Sequence, residues 1–164
     1  MQSDFALEII EKAKNEGIST CIETCGYGKA DFYKKAQELS ATFLFDLKCM
    51  DPERHKELTG VSNERIIENI EMLFSMDADV VIRLPMIPGI NDYDANLDLL
   101  CAFLKKHERK YRYAEIMPYH SFGVAKAERI GKEDSFCQKD ATKDDKDRWT
   151  KAFLDRGIKV KISQ

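Results

Sequence analysis

Reactive side chains close each of four apolar runs in this chain. "ISTCIETC" (18–25) finishes in Glu23, Thr24 and Cys25, and "ATFLFDL" (41–47) leads into Asp46 and Lys48. "DVVIRLPMI" (79–87) carries Arg83, and "YAEIMPY" (113–119) is followed by His120. Alternation along an extended strand sends Asp46 and Lys48 to the same face. Carboxylates, lysine, arginine and histidine gathered at strand ends suit a ligand that carries both a carboxylate and a positive centre. "CIETCGYG" poses a separate question. Three residues separate Cys21 from Cys25, and Gly28 stands where a third cysteine would complete Cys-x3-Cys-x2-Cys. Two thiolates are too few for a cubane iron–sulfur cluster, and no second ligand pair follows for zinc. Cys21 and Cys25 read as core or rim thiols.

The elements that must position these groups alternate with few interruptions. Residues 4–16 read as an amphipathic helix with Phe5, Ile9 and Ala13 on one face and Gly17 as its stop. A helix is expected over 30–39, between the first two apolar runs. Asp51-Pro52 opens a short helical turn that ends at Gly60, with proline at the first helical position. Ser62 is expected to cap a helix that turns Ile66, Ile67, Ile70 and Leu73 toward a core. Asp92 to His107 is helical by its Leu97, Leu100 and Leu104 spacing. Thr142 and Asp145 form a capping box for a helix to Arg156, and "IKVKI" (158–162) is a last strand. Strands that alternate with helices imply a parallel sheet with helices packed on it. Four or five strands do not close a barrel, so an open sheet or a piece of something larger is expected.

The totals agree with that class. In 164 residues, 43% are apolar and 34% charged, which permits one domain with a real core and argues against disorder. A net charge of -3 without a basic stripe excludes a nucleic-acid binder. No apolar run is long enough for a membrane span, and the first residues do not resemble a signal peptide. Five cysteines without an export signal read as cytoplasmic thiols.

"FDLKCMDPERHKELTGVSNERIIENI" (45–70) resembles the signature region of the glycyl-radical-enzyme activating enzymes, radical S-adenosylmethionine (SAM) proteins that include pyruvate formate-lyase activating enzyme. "CIETCGY", "VIRLPMIPGIND" and "IMPYHSFGVAK" resemble three further segments of that family, in order, over about residues 18–131. The resemblance implies a fold: residues 1–164 as a single domain, the carboxy-terminal part of a partial (β/α)6 barrel with helices on its outer face. The family's Cys-x3-Cys-x2-Cys and Gly-Gly-Glu segments belong to earlier strands. The four-iron four-sulfur cluster is therefore expected in the parent protein only, with "CIETC" matching a later strand.

The same resemblance implies a chemistry. Cleavage of SAM at the cluster yields a 5′-deoxyadenosyl radical, which takes hydrogen from a glycine on a partner, a glycyl radical enzyme. An electron donor such as flavodoxin or ferredoxin would serve the parent. Glu23, Thr24 and Asp46 match positions around the methionine carboxylate and a bound monovalent cation. Lys48 matches the lysine that pairs with that carboxylate, and Arg83 and His120 match positions that face the ribose and methionine portions. Lys126 matches a family lysine, although the aromatic residue that often follows it is Ala127 here. His55 is expected to serve structure, His107 to lie on the surface, and Trp149 to anchor the core. By itself the chain is expected to be inactive. It is also expected to self-associate through the unpaired edge at 18–25, which is β-branched and nearly free of charge. Two alternatives remain open at this point: a non-catalytic binding module completed by another chain, and an unrelated α/β lyase or hydrolase that uses Asp46, Lys48 and His120.

Overall fold

The computed structural model describes residues 2–121, 131 and 138–163; Lys126 and Ala127 fall outside them. Among the described residues the elements run in order: α1 (Ser3–Asn15), β1 (Cys21–Thr24), α2 (Ala30–Glu38), β2 (Thr42–Asp46), α3 (Pro52–Thr59), α4 (Glu64–Ser75), β3 (Val80–Met86), α5 (Asp94–Lys106), β4 (Ala114–Pro118), α6 (Lys143–Asp155) and β5 (Val160–Ile162). The strands form one sheet in the order β1-β2-β3-β4-β5, and every neighbouring pair is parallel. This is the open α/β sheet that the alternation implies, with β1 and β5 as its edges.

Period-two alternation divides the sheet into two faces. Phe43, Phe45, Ile82, Leu84 and Ile116 are fully buried against helix residues such as Tyr33, Ile70, Leu73, Leu100 and Phe153. Cys21 and Glu23 on the opposite face are exposed, and Leu44, Asp46, Arg83 and Glu115 are half-buried. Register brings Asp46 beside Arg83, Arg83 beside Glu115 and Glu115 beside Lys161, so that one row of that face alternates in charge.

Helix ends follow local chemistry, with three departures from expectation. Asp51 caps α3 by accepting from the Arg54 N–H at 2.7 Å, with Pro52 in the first turn. Thr142 and Asp145 form the expected reciprocal capping box of α6. Helix α4, however, begins after Asn63; Ser62 Oγ accepts only a 3.3 Å contact from Glu64 N, while the Asn63 side chain turns inward. Helix α5 starts at Asp94 because Asp92 is drawn into the interior as a hydrogen-bond acceptor. On α1 the apolar stripe is inverted: Phe5 and Ile9 are 60% and 51% exposed, whereas Ile10 is buried and Ala6 and Leu7 pack beside it. Spacing marks an apolar stripe, but it does not say which of two neighbouring stripes meets the sheet.

Trp149 is fully buried on α6, as expected of a core anchor. His55 is buried too, with Nδ1 2.7 Å from the Val61 carbonyl and 3.0 Å from Thr59 Oγ1, a structural role within the α3–α4 turn. His107 is not a surface residue. Its ring packs 4.8 Å from Phe103 and 5.0 Å from Phe74, with Nε2 3.3 Å from Glu71.

Candidate functional site

The carboxyl ends of β1, β2 and β3 converge on one rim of the open face, where parallel α/β sheets place their ligands. Arg83 is the hub of that rim. Its Nη1 lies 2.6 Å from Glu23 Oε1, and its Nε lies 3.2 Å from Asp46 Oδ1. Lys48 Nζ reaches the other Asp46 oxygen at 3.3 Å. Thus Glu23, Asp46, Lys48 and Arg83, four of the residues expected to serve a ligand, form one ion-pair cluster drawn from three strands.

The cluster is only partly satisfied. Asp46 Oδ1 and Arg83 Nε are shielded from solvent yet have no well-aligned hydrogen bond, their mutual 3.2 Å contact being off-axis. A buried acceptor and donor without aligned partners are expensive in a ligand-free site and become useful when a polar ligand arrives. Lys48 keeps 36% of its side chain exposed and sits between two cavities. One, of about 340 Å³, is lined by Cys25, Tyr27, Asp46, His55 and Ile66. The other, of about 250 Å³, is lined by Leu58, Pro85, Ile87, Ile90 and Asn91. A larger cleft of about 570 Å³ lies between α1 and α2, remote from this cluster. Lys48 is accessible and ion-paired, whereas a lyase that used it to form a Schiff base would need a buried lysine.

Thr24 stands apart. The Thr24 hydroxyl lies on the helix-covered side, 2.9 Å from Tyr33 Oη, and accepts from Gly26 N at 3.0 Å. Its side chain therefore does not join Glu23 and Asp46, and only its backbone remains near any cation between them. His120 follows the end of β4 and is exposed. Cys21 and Cys25 are exposed, Cys49 and Cys101 buried. Partial shielding and the neighbouring Glu23 push the Cys21 thiol up, away from the thiolate a metal needs. Among the described residues no three His, Cys, Asp or Glu side chains are grouped to hold a metal.

The loops behind the rim are held by buried asparagine side chains that were not among the expected ligand-binding residues. Asn63, Asn69, Asn91 and Asn96 are buried. Asn69 donates to the carbonyls of Gly26 and Gly28, at 2.7 and 3.0 Å. Asn63 donates to those of Cys49 and Met50, and Asn96 accepts from Met50 N. Asn91 donates to the carbonyls of Lys48 and Pro85, both at 2.7 Å. Loop backbone beyond a strand end loses its ladder partners, and a buried amide side chain replaces them. Asn63 and Asn91 stand in loops and Asn69 and Asn96 within helices α4 and α5, and nothing in the local sequence says which carbonyls such a side chain will meet.

Comparison with known proteins places the chain in a family. The family model of the radical SAM superfamily matches residues 1–100. Over 135 residues the chain is 38% identical to the choline trimethylamine-lyase activating enzyme of Oleidesulfovibrio alaskensis, covering 81% of this chain and 44% of that protein. Over 162 residues it is 33% identical to the 4-hydroxyphenylacetate decarboxylase activating enzyme of Clostridioides difficile, covering 96% and 50%. The chain thus spans half or less of the length of these relatives. A domain of pyruvate-formate lyase-activating enzyme from Bacteroides vulgatus superposes with a TM-score of 0.79, covering 99% of this chain and 91% of that one; at 23% identity this supports the fold. With a match over residues 1–100 and activating enzymes as its relatives, the chain belongs to the radical SAM superfamily, in the branch that resembles the glycyl-radical-enzyme activating enzymes.

Proposed function

We propose that this chain is the SAM-binding, carboxy-terminal part of an activating enzyme that creates a glycyl radical on a partner enzyme. The observation that carries the reading is the Glu23–Arg83–Asp46–Lys48 cluster, a partly satisfied set of both charges at the rim of an open sheet. SAM, reduced by one electron from a four-iron four-sulfur cluster held elsewhere in the whole protein, would supply the radical that takes hydrogen from glycine. This chain's own residues do the binding and orienting. The Lys48 ammonium takes the methionyl carboxylate as a charge-assisted pair. Asp46 and Glu23 supply negative charge for the amino group or for a monovalent cation beside it. Arg83 holds both carboxylates at fixed separation, and His120 closes the β4 side.

The cluster ligands belong to another part of the whole protein, and the chain alone is inactive. The partner is a glycyl radical enzyme of the pyruvate formate-lyase kind, the electron donor a flavodoxin or ferredoxin, and the compartment the cytoplasm. Alone, the chain pairs with itself through β1, whose outer edge carries no strand among the described residues. The test is the release of 5′-deoxyadenosine under anaerobic reduction. The protein read in frame from upstream of Met1 is expected to carry Cys-x3-Cys-x2-Cys and to cleave SAM, and the 164-residue chain is expected to yield nothing. Turnover by the chain alone, or none by the longer protein, contradicts the reading.

A further inference from the structure

Asn91 has a part in this site that its position in a loop does not advertise. Strand β2 ends at Asp46, so Lys48 stands two residues beyond the ladder, where the sheet no longer fixes the backbone. Two hydrogen bonds replace the ladder there. Leu47 N still donates to the Arg83 carbonyl at 2.9 Å, and the Lys48 carbonyl is taken by Asn91 Nδ2 at 2.7 Å. The same amide nitrogen holds the Pro85 carbonyl at 2.7 Å, and Asn91 Oδ1 accepts from Ile87 N at 2.8 Å. One side chain, 2% exposed, therefore ties the backbone of Lys48 to the end of the neighbouring strand β3.

Asn91 is itself held from both sides. Its carbonyl accepts from Asn96 Nδ2 at 2.7 Å, from the first turn of α5. The next residue, Asp92, is locked to α6 through Trp149 Nε1 at 3.0 Å. We infer that Asn91 is the positioning residue for Lys48: it fixes the backbone from which the lysine reaches Asp46 and, on the functional reading above, the ligand carboxylate. The inference rests on that reading only for the ligand. The bond that Asn91 makes to Lys48 is to its carbonyl, and Asn91 also lines the smaller of the two cavities beside that lysine. Serine or aspartate could not replace it fully, because each lacks two amide hydrogens directed at two carbonyls beside an acceptor for the Ile87 N–H.

An asparagine that holds a different loop of the rim provides the control. Asn69 also donates to two buried carbonyls, those of Gly26 and Gly28, but has no bond to Lys48. Asn69→Ala removes two donated bonds, whereas Asn91→Ala removes two donated bonds and the one accepted from Ile87 N, so Asn91→Ala is expected to lower the unfolding midpoint somewhat more. The first readout needs no ligand. Lysines are ¹³C-methylated, and the Lys48 resonance is assigned by its loss in Lys48→Arg. Asn91→Ala is expected to shift it toward the position of an unrestrained lysine, and Asn69→Ala to leave it in place. Asn91→Ser, which keeps one donor, is read in the same way should the alanine variant not fold.

The second readout is equilibrium binding of SAM. Asn91→Ala should weaken it about tenfold, the worth of one charge-assisted hydrogen bond. Combined with Lys48→Ala it should add no further loss, because both changes remove the same interaction. An unmoved Lys48 resonance in folded Asn91→Ala overturns the inference, as does full additivity with Lys48→Ala. Absence of any binding by the unaltered chain overturns the functional reading instead, and the resonance still decides the role of Asn91.

Discussion

Asp92→Ala is expected to lower stability by about 3 kcal/mol, because the buried Trp149 N–H and the part-buried Gly89 N–H lose their acceptor together. Asp92 is 7% exposed, and its carboxylate accepts from Gly89 N at 2.8 Å and from Trp149 Nε1 at 3.0 Å, with Arg148 paired to the same group. Trp149 is fully buried and cannot turn its N–H to water. Arg148 is 53% exposed, so its charge is rehydrated and adds little to the loss. The damage therefore arises from unsatisfied N–H groups and not from a broken ion pair. Asp92→Asn, which retains a neutral acceptor, is expected to recover part of the stability. Urea unfolding followed by tryptophan fluorescence reads both, since the chain has one tryptophan. A loss below about 1 kcal/mol for the alanine variant would show that the α6 clamp is unimportant.

Gly26→Ala is the second large effect, again about 3 kcal/mol, summed from a backbone and a packing contribution. Gly26 has φ +78°, a left-handed conformation that an L side chain resists. A Cβ there would lie 2.1 Å from Phe45 Cζ and 3.1 Å from Ile66 Cγ2. Phe45 is fully buried, and its ring cannot retreat without opening the core. Gly60 separates the two contributions. Its φ is +85°, yet nothing stands within 4 Å of a Cβ, so Gly60→Ala should lose only the backbone part, about 1 kcal/mol. Equal losses in the two variants would mean that the Phe45 clash relaxes freely. The site should feel only Gly26→Ala, since Gly26 leads from Glu23 into the loop that Asn69 holds.

How far the sequence was legible depended on whether one residue or two carried the information. Strand positions and most helices follow from period and punctuation, as at Pro52, Gly60 and the Thr142–Asp145 box, each of which acts within one turn of itself. Asp46 and Lys48 share a face by alternation alone, which can be counted along the chain. Thr24 shows the same rule from the other side: as the neighbour of Glu23 it must point away from it, toward Tyr33. What remained illegible lies in pairs distant along the chain. Asn91 with Lys48, Asp92 with Trp149, and Asn69 with Gly26 meet only after the sheet has formed. The α1 stripe and His107 failed for a related reason, because apolar or polar type does not say which neighbour covers a residue.

Binding of SAM by the rim at Lys48 is the central claim. Isothermal titration of the 164-residue chain, beside its Lys48→Ala variant at matched unfolding midpoint, tests it most directly. Weak but saturable binding is predicted for the unaltered chain. In Lys48→Ala the affinity is predicted to fall about tenfold or more, the worth of one charge-assisted hydrogen bond. Equal heats and equal affinity for both proteins, or no binding to either at millimolar ligand, would contradict it.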